Sequence, residues 1–278
     1  MNTLLKKTAL LSLATVTLLF TSCKKDDDGN EPETVNFSAE DTTRAAQMDN
    51  IVEASADIAE SGYMKIEEPD QLASSFFPTA CPTFQISGGG NGAGAILIDF
   101  GTDCQLLNGA VVSGLISISY SALTSGIRNI AYEYSGDFTY NGNSVSGGGT
   151  ITRDISGSVP KSVIDENIVV AFSGTSITGT RTGIRITEWV EGVGSGTWTD
   201  NVFHIEGNWE TNLSNGFSRS GVVTQRLIRE ASCPYLVSGK ITVTQEGLTG
   251  IIDFGDGTCD PLATITFEGQ EFPIILGN

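Results

Sequence analysis

The segment Leu115-Ile116-Ser117-Ile118-Ser119-Tyr120 is the clearest indication of the fold class, because large apolar residues alternate in it with serine. Successive side chains of a β-strand point to opposite faces of a sheet, so a period of two predicts a strand with one buried and one solvent-facing side. Large residues recur at the same spacing in residues 130–134 and 168–172. The chain from about Cys81 onwards is therefore predicted to consist of half-exposed strands.

Dipeptides that tolerate a positive φ angle separate these segments. They are Asn141-Gly142, Asn215-Gly216, Glu246-Gly247, Asp256-Gly257 and Glu268-Gly269. Such turns join antiparallel strands, so we predict a mainly β fold, an antiparallel meander that forms a barrel-like or sandwich sheet. A parallel β-helix is the alternative, but it would need a short strict repeat that we do not find.

One α-helix is predicted before the strands, from Ala39 to about Ser61, with Gly62 as its stop signal. Seven residues at helical spacing form its predicted core face. They are Ala45, Met48, Ile51, Val52, Ser55, Ile58 and Ala59. We expect this helix to cover a face or an edge of the sheet; a stalk between an anchor and the domain is the alternative.

Charge and composition exclude one class of partner. The 278 residues include 33 acidic and 15 basic side chains, for a net charge of −18. Binding to nucleic acid requires clustered Lys and Arg to neutralise phosphates, whereas the bases here are scattered among twice as many acids. We therefore expect no nucleic-acid partner.

The N-terminus has the layout of an export signal. Lys6 and Lys7 precede an apolar run over residues 8–20, and small residues lead to Cys23. That run is too short to span a bilayer, which takes about 20 apolar residues, so cleavage is expected. Leu19-Phe20-Thr21-Ser22-Cys23 resembles a bacterial lipobox, although Phe20 stands where leucine is usual. The resemblance implies a covalent diacylglycerol and acyl lipid on Cys23; an ordinary cleaved signal with an incidental cysteine is the alternative.

The segment after Cys23 resembles a second targeting signal. Lys24-Lys25-Asp26-Asp27-Asp28 is similar to the surface-export signal of Bacteroidota lipoproteins, and a solvated charge run in a linker is the alternative. The implied location is the outer membrane, exposed at the cell surface, or otherwise its periplasmic face. We divide the chain into a signal peptide (1–22), the lipidated cysteine with a flexible linker (23–36), and a helix with a single β domain (37–278).

A partial internal repeat lies within residues 81–120 and 233–278. Cys81-Pro82, Ile98-Asp99-Phe100-Gly101 and Cys104 in the first copy correspond to Cys233-Pro234, Ile252-Asp253-Phe254-Gly255 and Cys259 in the second. With Cys23 lipidated, four cysteines remain in an oxidising compartment and allow three pairings. Pairing within each copy, Cys81 with Cys104 and Cys233 with Cys259, is the simplest, and the spacing disfavours a zinc site.

This Cys-Pro, Ile-Asp-Phe-Gly and Cys pattern resembles that of uncharacterised Bacteroidota surface lipoproteins. The resemblance covers about a third of the chain and implies no known activity.

Few residues suggest catalysis. His204 is the only histidine, and we interpret it as a surface strand residue rather than as the base of a Ser or Cys hydrolase. Two carboxylates would suffice for a glycosidase, but no pair stands out among the 33 acids. We therefore predict no catalytic residues and no enzymatic activity.

Two groups of residues could bind ligands. Aspartates in Gly-containing turns suit calcium, but capping of the turn is the favoured interpretation. They are Asp99, Asp103, Asp253, Asp256 and Asp260. Trp189 and Trp198 could form an exposed platform for sugar rings or a protein, whereas Trp209 has the parity of core residues; burial of all three is the favoured alternative.

The preferred functional hypothesis is a non-catalytic lipoprotein, held on the membrane by its lipid, whose β domain serves structure, adhesion or ligand capture. The main alternative is a glycan-binding module of a nutrient-uptake system. A hydrolase is less favoured because it would need a cleft with converging carboxylates. A lipid carrier would need an apolar cavity inside the curled sheet.

Overall fold

A computed structural model describes residues 39–67, 77–78, 80–107, 109–233 and 235–276, apart from the side chains of Ala39, Thr42, Glu67 and Trp198. The predicted signal peptide, Cys23 and the linker lie outside the described residues. The chain divides by contacts after Asn36, and all described residues belong to the unit Phe37–Asn278.

The described chain contains one long α-helix, sixteen strands and one short 3₁₀ helix at Trp198–Asp200. The helix, α1, spans Ala39–Glu67. The first eight strands are β1 (Thr83–Ser87), β2 (Gly94–Asp99), β3 (Cys104–Gln105), β4 (Val111–Ser113), β5 (Leu115–Tyr120), β6 (Ile127–Tyr134), β7 (Thr139–Tyr140) and β8 (Asn143–Asp154). The other eight are β9 (Lys161–Ala171), β10 (Thr178–Glu191), β11 (Val202–Leu213), β12 (Ser218–Glu230), β13 (Leu236–Gln245), β14 (Leu248–Asp256), β15 (Leu262–Phe267) and β16 (Gln270–Ile275).

All strand pairs are antiparallel and belong to one sheet. Its order is β1-β2-β5-β6-β8-β9-β10-β11-β12-β13-β14-β15-β16, with the short strands β3, β4 and β7 beside this path. The predicted mainly β meander with one N-terminal helix is therefore confirmed. The sheet is open, because β1 pairs only with β2 and β16 only with β15 within the described residues.

Turn chemistry explains the meander. Asn141, Glu246 and Glu268 each adopt a φ of 48° and precede glycines with φ near 80°, which is the backbone of two-residue hairpin turns. These turns match the right-handed twist of the strands that they join. The predicted hairpins at these three positions are confirmed.

The helix packs on one face of the sheet, and its seven predicted core-face residues are all buried. The helix contacts β2, β5, β10 and β11, so it covers a sheet face and is not a stalk. Its predicted end was wrong, since α1 continues through Gly62 to Glu67. Gly62 serves close packing instead of termination, because a Cβ at this position would overlap the buried side chain of Ile98.

The repeat forms two equivalent hairpins, β1-β2 and β13-β14, and each carries the predicted disulfide. The Cys81–Cys104 and Cys233–Cys259 bonds have Cα separations of 6.0 and 5.8 Å, within the usual range. In each hairpin, the disulfide joins a cysteine just before the first strand to a cysteine that follows the second strand. The predicted pairing within each copy is thus present.

No helix among the described residues is both long and apolar enough to cross a membrane.

Candidate functional site

A stripe of acids on α1 faces a set of inward-pointing arginines on the sheet. The acids are spaced by four, four and three residues, which places them on one side of a helix. They are Asp49, Glu53, Asp57 and Glu60. The arginines are Arg181 and Arg185 on β10, and Arg219 and Arg229 on β12. We call these eight residues the ion-pair ladder.

The first half of the ladder joins Arg181 and Arg219 to the N-terminal part of the helix. Arg181 Nη1 donates to Asp49 Oδ1 at 2.8 Å, and its Nη2 donates to Glu53 Oε1 at 2.9 Å. Arg219 Nη1 lies 3.4 Å from Asp49 Oδ2. Two strands that are not neighbours are thus held by the same turn of the helix.

The second half joins Arg185 and Arg229 to the following turns. Arg185 Nη1 donates to Glu53 Oε2 at 2.8 Å and lies 3.6 Å from Asp57, while its Nη2 lies 3.6 Å from Glu60. Arg229 Nη1 donates to Asp57 Oδ2 at 3.0 Å. Each of the four guanidinium groups therefore has a carboxylate partner.

In the ion-pair ladder, burial and ion pairing shift the pKa values of the side chains in opposite directions. Burial by itself would raise the pKa of Glu53, but the nearby Arg185 and Arg181 guanidinium groups outweigh it and the pKa is lowered. Desolvation would lower the pKa of Arg185, whereas the carboxylates of Glu53, Asp57 and Glu60 raise it. At Asp49 desolvation is stronger than the attraction of Arg181, and its pKa is raised. The ladder is thus fully charged at Glu53 and Arg185.

A fifth carboxylate, Glu166, approaches the ladder from β9. Its side chain is 6% exposed, and Oε1 lies 3.5 Å from Nε of Arg181. Glu166 occupies an inward position between Ile164 and Ile168, which are both buried. Desolvation raises its pKa to about 6, because the attraction of Arg181 only partly offsets the loss of hydration.

A cavity of about 560 Å³ adjoins the ladder, a size typical of small-molecule sites. Part of its lining consists of α1 and every ladder residue except Glu60, and another part is the apolar inner face of strands β11 to β14. Six aliphatic and aromatic side chains on that wall are Ile205, Val223, Leu227, Ile241, Ile252 and Phe254. The cavity is therefore amphipathic, with a charged and an apolar wall.

A comparison of the two repeat copies shows that the helix covers the first hairpin but leaves the apolar wall of the second uncovered. In the first copy Ile98 is 0% exposed beneath Gly62 of the helix. Its counterpart Ile252 in the second copy is only half-buried and lines the cavity. The smaller apolar cluster around Phe254 contains no residue of α1 among the described residues. The cavity thus occupies the place over the second hairpin that the helix fills over the first.

The floor of the cavity is a half-buried tryptophan, Trp209 on β11. Its ring lies over Gly221 of β12, where any Cβ would overlap the indole. The Arg181 guanidinium stands 4.9 Å from the ring centroid, a cation–π distance. Trp209 therefore links the charged and apolar walls.

Trp189 is buried, as the favoured interpretation expected, and does not form the alternative ligand platform. Trp189 is only 5% exposed, and its Nε1 donates to Oδ1 of Asn201 at 3.1 Å. It is inward-facing on β10 and packs beside Phe203, so it offers no open ring face to a sugar. The Trp198 side chain lies outside the described residues. Trp209, assigned to the core by its parity, is the tryptophan that lines a cavity; parity identified its face but could not show that this face is uncovered.

Three of the turn aspartates, Asp99, Asp253 and Asp260, have the predicted capping role. Asp99 and Asp253 each accept a hydrogen bond from the backbone N–H two residues later, at 2.8 and 3.0 Å. Asp256 accepts from the Thr258 hydroxyl, and Asp260 accepts from the backbone N–H of Leu262. Within the described ranges, no group of three or more His, Cys, Asp or Glu residues is placed to hold a metal ion.

His204 lies half-exposed on β11, opposite Glu188 and with Nδ1 3.4 Å from Nη1 of Arg226, as expected for a surface strand residue. Carboxylates do converge on the cavity wall, which the sequence did not indicate. Within the ladder and at Glu166, however, each lies within 4 Å of a guanidinium nitrogen.

Neither a protein-family model, nor a curated protein, nor a solved structure matches this chain.

Proposed function

We propose that this protein is a lipoprotein of the outer membrane, anchored through Cys23 and exposed at the cell surface, whose non-catalytic β domain captures an apolar small molecule. The observation that carries the capture role is the cavity between α1 and the open inner face of the C-terminal strands. Half-buried aliphatic side chains such as Val223 and Ile252 would lose contact with water when a ligand covers them, which favours binding.

The proposed role is non-catalytic because the carboxylates beside the cavity are engaged. Glu53 binds two guanidinium groups, and Asp57 accepts a hydrogen bond from Arg229. A carboxylate held in this way is a weak proton donor and a poor nucleophile. Ligand capture requires no such group, only an apolar surface and an adjoining polar wall.

The anchor is tested on intact cells. Protease added outside the cells is expected to digest the protein, and mass spectrometry of the native protein should show a lipid-modified Cys23 at the N-terminus. The same cells should keep a periplasmic marker protein intact as a control. An unmodified Cys23 behind an intact Met1 would refute the anchor.

The capture role is tested by filling the cavity. In Ile252→Trp the indole should occupy the space in front of the apolar wall, so the chain should bind the neutral fluorescent probe N-phenyl-1-naphthylamine about tenfold more weakly than the wild type does, a loss of about 1.4 kcal/mol. Displacement by linear alcohols should strengthen about fourfold per added methylene until the cavity is full, since each buried methylene contributes about 0.8 kcal/mol.

Ile251→Trp is the matched control, because Ile251 is the preceding residue of β14 and is 41% exposed on the opposite face. It should bind the probe as the wild type does. Equal binding by both variants and the wild type would show that the probe binds elsewhere, and absence of binding to the wild type would refute capture.

A further inference from the structure

The charged wall of the cavity is neutral as a unit. The lining carboxylates that pair with its arginines are Asp49, Glu53, Asp57 and Glu166, and the arginines are Arg181, Arg185, Arg219 and Arg229. Glu206, which also lines the cavity, is paired with Arg226. An anionic head group would have to displace a helix carboxylate to reach a guanidinium group. A cationic head group would have to displace an arginine. Either exchange breaks a contact that also holds α1 on the sheet.

An uncharged hydroxyl group meets no such obstacle. It can accept from a guanidinium N–H and donate to a carboxylate oxygen at once, so it can bridge an ion pair without separating it. Two long contacts in the cavity lining offer such positions, since Arg185 Nη1 lies 3.6 Å from Asp57 Oδ1 and Arg219 Nη1 lies 3.4 Å from Asp49 Oδ2, outside the usual hydrogen-bond range.

We infer that the cavity selects uncharged, hydroxyl-bearing amphiphiles, with the hydrocarbon chain on the apolar wall and the hydroxyl head on the ion-pair ladder, and that it discriminates against fatty-acid anions and cationic amphiphiles. This inference rests on the proposed capture function and names the ligand class of the same site. The discrimination arises because paired carboxylates and guanidinium groups are equal in number in the cavity lining. Removing one carboxylate should therefore favour anionic ligands, and removing one guanidinium group should favour cationic ligands.

The Asp57–Arg229 pair is suited to testing this inference, because either of its charges can be removed by substitution. Its side chains are 22% and 35% exposed, so it is more open than the Arg181 contacts and less essential to folding. Asp57→Asn leaves the Arg229 guanidinium without its carboxylate, and Arg229→Gln leaves Asp57 without that cation. Asp57→Asn keeps the size and shape of the side chain, and Arg229→Gln replaces it with a shorter, uncharged polar one.

The first measurement is displacement of N-phenyl-1-naphthylamine from the full chain, produced without lipid, by decan-1-ol, decanoate, decyltrimethylammonium and decane. With the wild type, decan-1-ol should act at a concentration about tenfold below the other three, the effect of one hydrogen bond to a charged group. If neither the probe nor decan-1-ol binds, the capture function and this inference both fail. If a charged analogue or decane competes as well as decan-1-ol, only this inference fails.

The second measurement repeats the series with the variants. Asp57→Asn should bind decanoate about tenfold more tightly than the wild type does, because one guanidinium group becomes available to a carboxylate. Arg229→Gln should instead bind decyltrimethylammonium more tightly than the wild type does. The double variant should rank the four molecules by affinity as the wild type does. Lys240→Gln, which removes an exposed cation bound to Asp253 on the outer face, is the control and should not alter the order.

Equal weakening of all four molecules by Asp57→Asn and by Arg229→Gln would overturn the inference, since a merely structural role of this pair predicts that result. Circular dichroism checks that each variant is folded. Should one fail to fold, the wild-type series by itself still decides the ligand class.

Discussion

Replacing Arg185 with methionine is expected to lower the free energy of unfolding by about 3 kcal/mol, measured by urea denaturation at neutral pH. Its side chain is 12% exposed and contacts Glu53, Asp57 and Glu60. Methionine keeps much of the apolar volume but leaves three carboxylates on one helix face with fewer cations. The expected loss lies at the lower end of the range for broken buried pairs because Glu53 is 48% exposed.

Lys240→Met is the matched control for this prediction. Lys240 also forms an ion pair, with Asp253 at 2.8 Å, but its side chain is 42% exposed on the outer face. An exposed pair of this kind contributes only about 0.2–1 kcal/mol. If Arg185→Met were no more destabilising than Lys240→Met, the ladder would not hold the helix on the sheet, and both proposals for the cavity would lose their charged wall.

The Glu166→Gln variant should change stability in a pH-dependent way. The pKa of Glu166 is about 6 in the folded protein, above its ordinary value of 4.5. The protonated form therefore favours folding: its contribution is fully present below about pH 4.5 and is lost as the pH rises through about 6. Glutamine stays uncharged at every pH, so the variant avoids this loss.

Between pH 4.5 and pH 7.5, the stability of Glu166→Gln relative to the wild type should rise by about 2 kcal/mol, since one pKa unit corresponds to about 1.4 kcal/mol. Urea denaturation of both proteins at the two pH values measures this difference, and the titration of other groups cancels. A difference that does not change with pH would mean that burial of Glu166 leaves its titration unaltered. A difference that falls would mean that Arg181 stabilises the carboxylate more than burial destabilises it.

The two predictions concern residues that sequence reasoning overlooked, although a signal was present. Asp49, Glu53 and Asp57 recur every four residues, which already places them on one face of the predicted helix. Arg181 and Arg185 share the parity of inward-facing positions on β10. Neither pattern shows its partner, because the acids and arginines are more than a hundred residues apart and meet only when the helix lies across the sheet.

The alternation of the strands, the hairpin turns at Asn141, Glu246 and Glu268, the buried face of the helix and the preferred disulfide pairing could be predicted from local sequence. Each depends on local stereochemistry: the pleat imposes alternation as in residues 116–120, positive φ angles mark turns such as Asn141-Gly142, and cysteine spacing marks the repeat. The tertiary structure alone decided that Gly62 lies inside the helix, that Trp189 is buried and Trp209 lines a cavity, and that the second hairpin lacks the cover present over the first. The physical reason is that parity determines which face a side chain occupies, whereas burial depends on what the rest of the sheet and α1 bring against that face.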